Sequence, residues 1–231
     1  MNVSVKYLYH SGFMVSIDDT VLVFDYCEHS GAGRIEREDL EKYKYKFLFL
    51  SHSHRDHYTQ EAFELPFNDI LISDDFLPYA PGTRVSPGIE LSSEIIKLNV
   101  FGSTDLGVSF LVNVHGVNIF HAGDFNFWHW DEESDEAYVK EAKALFDKVL
   151  EPIKAHADKI DIAFFPVDKR LGKNCGRGAE LFIESIRPKY LIPMHTSDES
   201  GRTAIDFAKN EFMKTKVMAM TKRGEALDIN I

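Results

Sequence analysis

Apolar residues come in short alternating or continuous runs through the first half of the chain and recur at helical spacing only later. Val3–Tyr9, Gly12–Ile17 and Val21–Asp25 read as three strands, and Asp18-Asp19 between the last two supplies a tight turn. Lys46–Leu50 is apolar after its lysine, the pattern of a strand buried on both faces. Ile70–Ser73, Glu90–Leu98, Val108–Val114 and Val117–His121 are further predicted strands. Acidic residues crowd Asp131–Glu136, and after them Tyr138, Leu145, Phe146, Val149 and Leu150 recur as on one face of a helix with negative charge at its N-terminal end. Ile160–Phe165 reads as a buried strand. Ala179–Ile186 reads as a helix that stops before Arg187-Pro188. Tyr190–Met194 is a strand and Gly201–Phe212 a helix, with strands over Lys216–Met220 and Ala226–Ile229. No Pro/Gly/Ser-rich linker divides the chain, so the expectation is one α/β domain over residues 1–231.

One event repeats. A buried strand ends and polar, ligand-type residues follow at once, at Leu50 before His52, Phe120 before Asp124, Phe165 before Asp168 and Met194 before His195. Layered α/β folds hold functional side chains at strand ends, where the sheet fixes the loop rigidly. The densest case is His52-Ser53-His54-Arg55-Asp56-His57. Histidines two apart on an extended segment point to the same side, so two imidazoles can bind one ion. Asp56 and His57 follow where the chain turns, within reach of a second ion or of the open face of the first. Imidazole and carboxylate without thiolate suit zinc, and also manganese, iron or nickel.

His-x-His-x-Asp-His after an apolar strand resembles the signature of the metallo-β-lactamase superfamily. Phe120-His121-Ala122-Gly123-Asp124 resembles its strand-Gly-Asp element, Pro193-Met194-His195 its late histidine, and Val23-Phe24-Asp25 its structural aspartate. The resemblance spans nearly the whole chain in the right order. It implies an α/β fold built as a four-layer αββα sandwich, with mixed sheets inside, helices on the outer faces and the site along one edge. It also implies that His52 and His54 belong to a first metal position and Asp56, His57 and His195 to a second. Asp124 would be shared, and Asp56, His57 and Asp124 would do the catalytic work.

One departure stands out. Where two-metal members carry a further histidine, this chain reads Phe101-Gly102-Ser103-Thr104-Asp105-Leu106-Gly107, with Ser103 at the expected place. The first position is therefore weak, rebuilt with Asp105 or water, or empty, which leaves a one-metal enzyme and a pseudo-enzyme open. Within the superfamily, Tyr9-His10-Ser11-Gly12-Phe13, Pro166-Val167-Asp168, Arg170-Leu171-Gly172 and Arg177-Gly178-Ala179 resemble short hydrolases such as the ascorbate-phosphate lactonase. On that reading His10, Ser103, Asp105, His121, Asp168, Arg170 and Lys173 bind substrate or support the ligands. His121 is better placed as a supporting or packing residue than as a ligand, and Arg170 and Lys173 either clamp an anionic group or are solvent-facing loop charges.

Bulk properties narrow the partners. The 231 residues include eighteen phenylalanines, enough for a sizeable core, and a formal net charge of −11 that disfavours phosphate backbones and anionic membranes. Cys27 and Cys175 form no Cys-x-x-Cys, and reduced cysteines in a cytoplasmic protein are expected. The N-terminus lacks a signal-peptide pattern, and no apolar run approaches the ~20 residues of a membrane span. The expected activity is metal-dependent hydrolysis of a small, anionic ester, lactone or phosphate-bearing substrate. Zinc is the first choice, as one or two ions, with manganese or iron as alternatives. The rival readings are a nuclease of the same superfamily and a non-catalytic metal- or ligand-binding protein. Self-association is left open. Trp128-His129-Trp130 is a contact patch or, better, core packing or a lid over the site.

Overall fold

Two tight turns make a meander of strands β1 (Asn2–Tyr9), β2 (Gly12–Ile17) and β3 (Thr20–Phe24). Tyr9 pairs with Gly12 and Ile17 with Thr20, so each turn has two residues. His10 and Asp18 take the left-handed conformation such turns require, with φ of 54° and 51°. Helix α1 (Arg37–Glu41) then leads into three parallel additions, β4 (Tyr45–Leu50), β5 (Asp69–Ser73) and β6 (Thr83–Val85). This computed structural model describes residues 1–27, 31–156 and 159–231.

The second sheet repeats the plan. β7 (Glu90–Ser92), β8 (Ile96–Gly102), β9 (Val108–Val114) and β10 (Val117–His121) are antiparallel neighbours. After helix α2 (Glu136–His156), β11 (Ile162–Pro166) adds in parallel. So do β12 (Tyr190–Met194), after helix α3 (Arg177–Ile186), and β13 (Lys216–Val217), after helix α4 (Arg202–Phe207). The final strand β14 (Ala226–Asn230) returns to pair with β1. The strand orders are β14-β1-β2-β3-β4-β5-β6 and β13-β12-β11-β10-β9-β8-β7.

Period-two alternation decides which residues face which layer. Leu22, Phe24, Phe47 and Phe49 join Val112, Ile119 and Phe164 in the core between the sheets, where Phe13 stacks on Phe164 at 4.2 Å between ring centres. Val21, Val23, Leu48 and Leu50 point the other way, into a smaller cluster with Ile35 and Leu40 of the α1 region. The outer face of the second sheet is covered by helices, with Phe120 on Phe182 at 5.1 Å and Phe125 on Phe146 at 4.8 Å. The protein is therefore a four-layer αββα sandwich with mixed sheets, as the resemblance implies, though its first helical layer is thin.

Several predicted boundaries move. Glu90–Leu98 is two strands, because the Ser93 hydroxyl accepts from the Ile95 and Ile96 amides and turns the chain. The helix expected over Gly201–Phe212 ends at Phe207, and the strand expected over Lys216–Met220 pairs only at Lys216–Val217. β6 and α1, too short to show a period, are absent from the predicted elements. None of these shifts touches the strand ends that carry the ligand-type residues. No described helix is long and apolar enough to cross a membrane.

Candidate metal centre

Parallel pairing of β3 with β4 sets the residue just past each strand side by side. Asp25 and Ser51 are both fully buried there, and the Asp25 amide donates to the Phe49 carbonyl at 2.9 Å. Asp25 Oδ1 accepts from the Ser51 amide, and Oδ2 accepts from Ser51 Oγ and His57 Nδ1, all three at 2.7 Å. Ser51 has one hydroxyl hydrogen and gives it to Asp25. Its oxygen must then accept from His52 Nδ1 at 2.9 Å. This chain of donors fixes the tautomers of two histidines, leaving each Nε2 toward the interior of the site. His195, at the end of β12, repeats the device by donating from Nδ1 to Asp168 at 2.8 Å, and Arg170 Nε holds Asp168 at 2.9 Å.

The three Nε2 atoms converge on Asp124, just past β10. His57 lies 3.2 Å and His195 3.4 Å from Asp124 Oδ1, and His52 lies 3.5 Å from Oδ2. Asp124 can come this deep because Gly123 precedes it. At φ 53° a Cβ there would stand 2.6 Å from the Val108 carbonyl oxygen and 2.8 Å from Ser51 Cβ. Among the described residues His10, Asp25 and His195 also have positive φ, a cost concentrated where three loops close on one site.

Three groups of donor atoms, each mutually within 4.8 Å, make up the cluster. They are His10, Asp56, His57 and His195; His52, His57 and Asp124; and His54, Asp105 and Asp124. Buried Nε2 of His10, Nε2 of His57 and Oδ1 of Asp124 have no hydrogen-bond partner. Buried polar atoms are normally satisfied. His57 Nε2 and Asp124 Oδ1 stand 3.2 Å apart and His10 Nε2 belongs to the adjoining group that shares His57, so these unpartnered atoms fit a divalent cation held by imidazole and carboxylate. The charges tell the same story. Burial opposes charging His57, but Asp124 and Asp25 outweigh it and raise its pKa to about 10. Burial and neighbouring His57 push His52 down to about 4. Burial, His195 and His57 push His10 down to about 3. Burial also opposes ionisation of Asp124, yet His57 and His195 hold it well below the usual carboxylate range. Without a cation, a proton on His57 is what the carboxylates draw in.

All six expected ligands, His52, His54, Asp56, His57, Asp124 and His195, fall in these groups, and His10 and Asp105 join them. Asp168 and Arg170 stand behind His195. Ser103 faces its own loop, with its hydroxyl accepting from the Asp105 amide at 3.3 Å. His121 is buried and donates from Nε2 to the Ser11 carbonyl at 2.8 Å, stacked on Phe24 rather than aimed at the cluster. Lys173 is paired with Asp131. Sequence reasoning did not single out Ser51 or Thr104, and no spacing signal marks a lone hydroxyl. Trp128 donates from Nε1 to the Asp124 carbonyl at 2.8 Å and sets its ring 5.6 Å from that of His195, at the rim of the site.

A cavity of about 540 Å³ is lined by His10 and Asp56 together with Tyr9, Asp198, Glu199 and Arg223. The Arg223 guanidinium lies 3.9 Å over the Tyr9 ring. A cavity of similar size, about 590 Å³, lies against α2 and α3 and contains none of the cluster residues.

No family model matches the chain, and no curated relative matches it. Solved structures do. A metallo hydrolase from the archaeon Ignicoccus hospitalis superposes with a TM-score of 0.67 at 15% identity, covering 100% of each chain. A metallo-β-lactamase fold protein from Bacillus subtilis gives 0.62 at 13% identity, over 99% of this chain and 100% of its own. A diiron β-hydroxylase from Streptomyces venezuelae gives 0.59 at 13% identity, over 99% of this chain and 54% of its own. The protein thus has the metallo-β-lactamase fold, and its neighbours in that fold include metal-dependent hydrolases.

Proposed function

We propose that this protein is a metal-dependent hydrolase of small molecules, working in the cytoplasm. The observation that carries the reading is that His10 Nε2, His57 Nε2 and Asp124 Oδ1 are buried and unpartnered within donor groups linked through His57, beside a cavity lined by His10 and Asp56. Asp56, His57, His195 and Asp124, with His10 beside them, would hold an ion. Zinc is the first choice and manganese or iron the alternatives, since the donor set is nitrogen and oxygen. A divalent ion held there would supply Lewis acidity, lowering the pKa of water and polarising a carbonyl or phosphoryl oxygen.

The chain's own groups do the rest. Asp25 and Asp168 lock the ring orientation of His57 and His195. Asp56, half-exposed at the mouth of the cavity, is placed to orient an attacking water and take its proton. Trp128, with its ring edge-on to that of His195 at 5.6 Å, would limit solvent on that side. The cavity sets the Arg223 guanidinium among the carboxylates of Asp56, Asp198 and Glu199, and the substrate we propose for it is a small ester, lactone or phosphate-bearing molecule.

The test is a substrate panel of lactones, carboxylic esters, phosphodiesters and single-stranded DNA, run on metal-loaded protein and on the His57→Ala and Asp124→Asn variants. Turnover of a small ester or lactone that both variants lose supports the proposal. Cleavage of DNA alone would assign a nuclease. Metal binding with no turnover of any substrate would leave a binding protein.

A further inference from the structure

We infer that Asp105 supplies the missing donor of the first metal position, so that this position is built from His52, His54, Asp105 and Asp124. The inference rests on the metal-dependent reading above and deepens it, because it assigns a second ion and a donor chemistry that the Ser103 departure leaves open.

The loop joining β8 to β9 is held on both sides. On one side Thr104 Oγ donates to the Asn126 carbonyl at 2.6 Å and accepts from the Asn126 amide at 2.8 Å, which ties the loop to the segment just past Asp124. On the other, the Val108 amide donates to the Ser51 carbonyl at 3.0 Å. Gly107, at φ 75°, presses so close to the first histidine that a Cβ there would stand 2.0 Å from the Ser51 oxygen and 2.5 Å from His52 Cβ. A loop anchored to the residues flanking both His52 and Asp124 has little freedom in where it puts Asp105. It puts the carboxylate within 4.8 Å of donor atoms on His54 and Asp124.

That placement needs a cause. Asp105 is exposed and could turn outward, and two carboxylates that share a site repel unless a cation lies between them. His54 Nδ1 and His52 Nε2 face one another at 3.0 Å. With His52 Nδ1 donating to Ser51, that Nε2 is unprotonated and accepts from His54 Nδ1, a lone pair that a cation could take over. His54, Asp105 and Asp124 thus offer donor atoms mutually within 4.8 Å, His52 Nε2 stands beside them at 3.5 Å from Asp124 Oδ2, and the Asp124 side chain is almost wholly buried. Ser103, whose hydroxyl is turned to its own loop, takes no part. An Asp in place of a histidine makes the first position richer in oxygen than the second. Oxygen donors favour harder ions such as manganese, and imidazole favours zinc.

The experiment counts ions and reads their coupling. Chelator-stripped wild type, Asp105→Ala and Asp105→His are titrated separately with Mn²⁺ and Zn²⁺ by calorimetry, and the Mn²⁺ forms are examined by electron paramagnetic resonance. Thermal unfolding checks that each variant is folded. Wild type should take two Mn²⁺ and show the multiline signal of an exchange-coupled pair. Asp105→Ala should keep one ion and lose the coupled signal, with the weaker site at least about 100-fold worse, beyond the 10–100-fold of an outer-shell loss. Asp105→His should regain the second ion and shift the preference of that site toward Zn²⁺ by about tenfold or more. Two ions bound unchanged by Asp105→Ala would overturn the assignment of Asp105, and so would a wild type that takes a single ion, while the hydrolase reading survives both. A wild type that binds no ion would remove the hydrolase reading and this inference with it.

Discussion

Asp25 touches no substrate-facing surface, yet replacing it with asparagine should weaken metal binding 10- to 100-fold, about 1.4–2.7 kcal/mol. The route is proton placement. The Ser51 amide is a fixed donor to Asp25 Oδ1, so the amide oxygen of an asparagine must sit there. Its NH2 group then takes the place of Oδ2, facing Ser51 Oγ and His57 Nδ1. His57 Nδ1 must now accept, which moves the ring proton to Nε2. Ser51 Oγ also accepts from the new amide and turns its own hydrogen to His52 Nδ1, so His52 changes tautomer as well. Nε2 of His57 and Nε2 of His52, two of the three nitrogens that face Asp124, would then carry a proton where a cation needs a lone pair.

The same geometry says why Asp25→Ala is the poorer test. It strands the Ser51 amide, the Ser51 hydroxyl and His57 Nδ1 in a fully buried site, a loss of the 3–5 kcal/mol class, and it confounds folding with binding. Asp25→Asn keeps the shape. Zinc or manganese affinity would be measured by competition with a chromophoric chelator, with circular dichroism confirming the fold. An Asp25→Asn protein that is folded and binds metal within twofold of wild type would refute the tautomer argument.

Three further outcomes follow from the same geometry. Gly107→Ala should destabilise the fold by more than the ~1–2 kcal/mol of a left-handed residue alone, because its Cβ would overlap the Ser51 carbonyl; urea unfolding reads this, and a change below 1 kcal/mol would contradict it. Removing metal with a chelator should lower the melting temperature by roughly 5–11 °C, from ~2.7 kcal/mol of linkage at 100 times Kd and 2–4 °C per kcal/mol in a chain of this size; an unchanged melting curve would show that no ion stabilises the native state. The metal-free protein should lose stability on both sides of neutrality. His57, raised to about 10, contributes fully below its unfolded value of about 6.5 and loses its contribution as pH rises through 10. His52 and His10, lowered to about 4 and 3, stay neutral while the unfolded chain protonates, so stability also falls as pH drops from about 6.5 toward 4. Melting temperature against pH without metal tests both limbs, and a flat acid limb would contradict the burial of His52 and His10.

The strand framework was legible because its signals are local: period-two alternation, two-residue turns and apolar runs that stop at polar residues. Leu50, His121 and Met194 do end buried strands, and the side chains just beyond them do meet. What was hidden depends on approach between segments far apart in the chain. The split of Glu90–Leu98 turns on one serine hydroxyl. The helix after Gly201 stops early, since the chain bends at Asn210 and closes a bridge between Phe212 and Thr215.

The site shows the same division more sharply. Histidines spaced as His52, His54 and His57 announce a cation by type and interval alone. Ser51 announces nothing, although it decides which nitrogen of His52 is free, because its role exists only once parallel pairing sets it against Asp25. Ser103 and Asp105 invert the lesson. Aligned by position, the serine falls where a histidine is expected and the first metal position looks broken. In space the loop is tied through Thr104 and Val108, and it is the residue two further on that arrives beside His54 and Asp124. Register along the chain is a poor guide wherever a loop can shift by two residues and still deliver a donor to the same point. A metal position should therefore be judged by the donors that surround it in space before a missing histidine is read as a missing site.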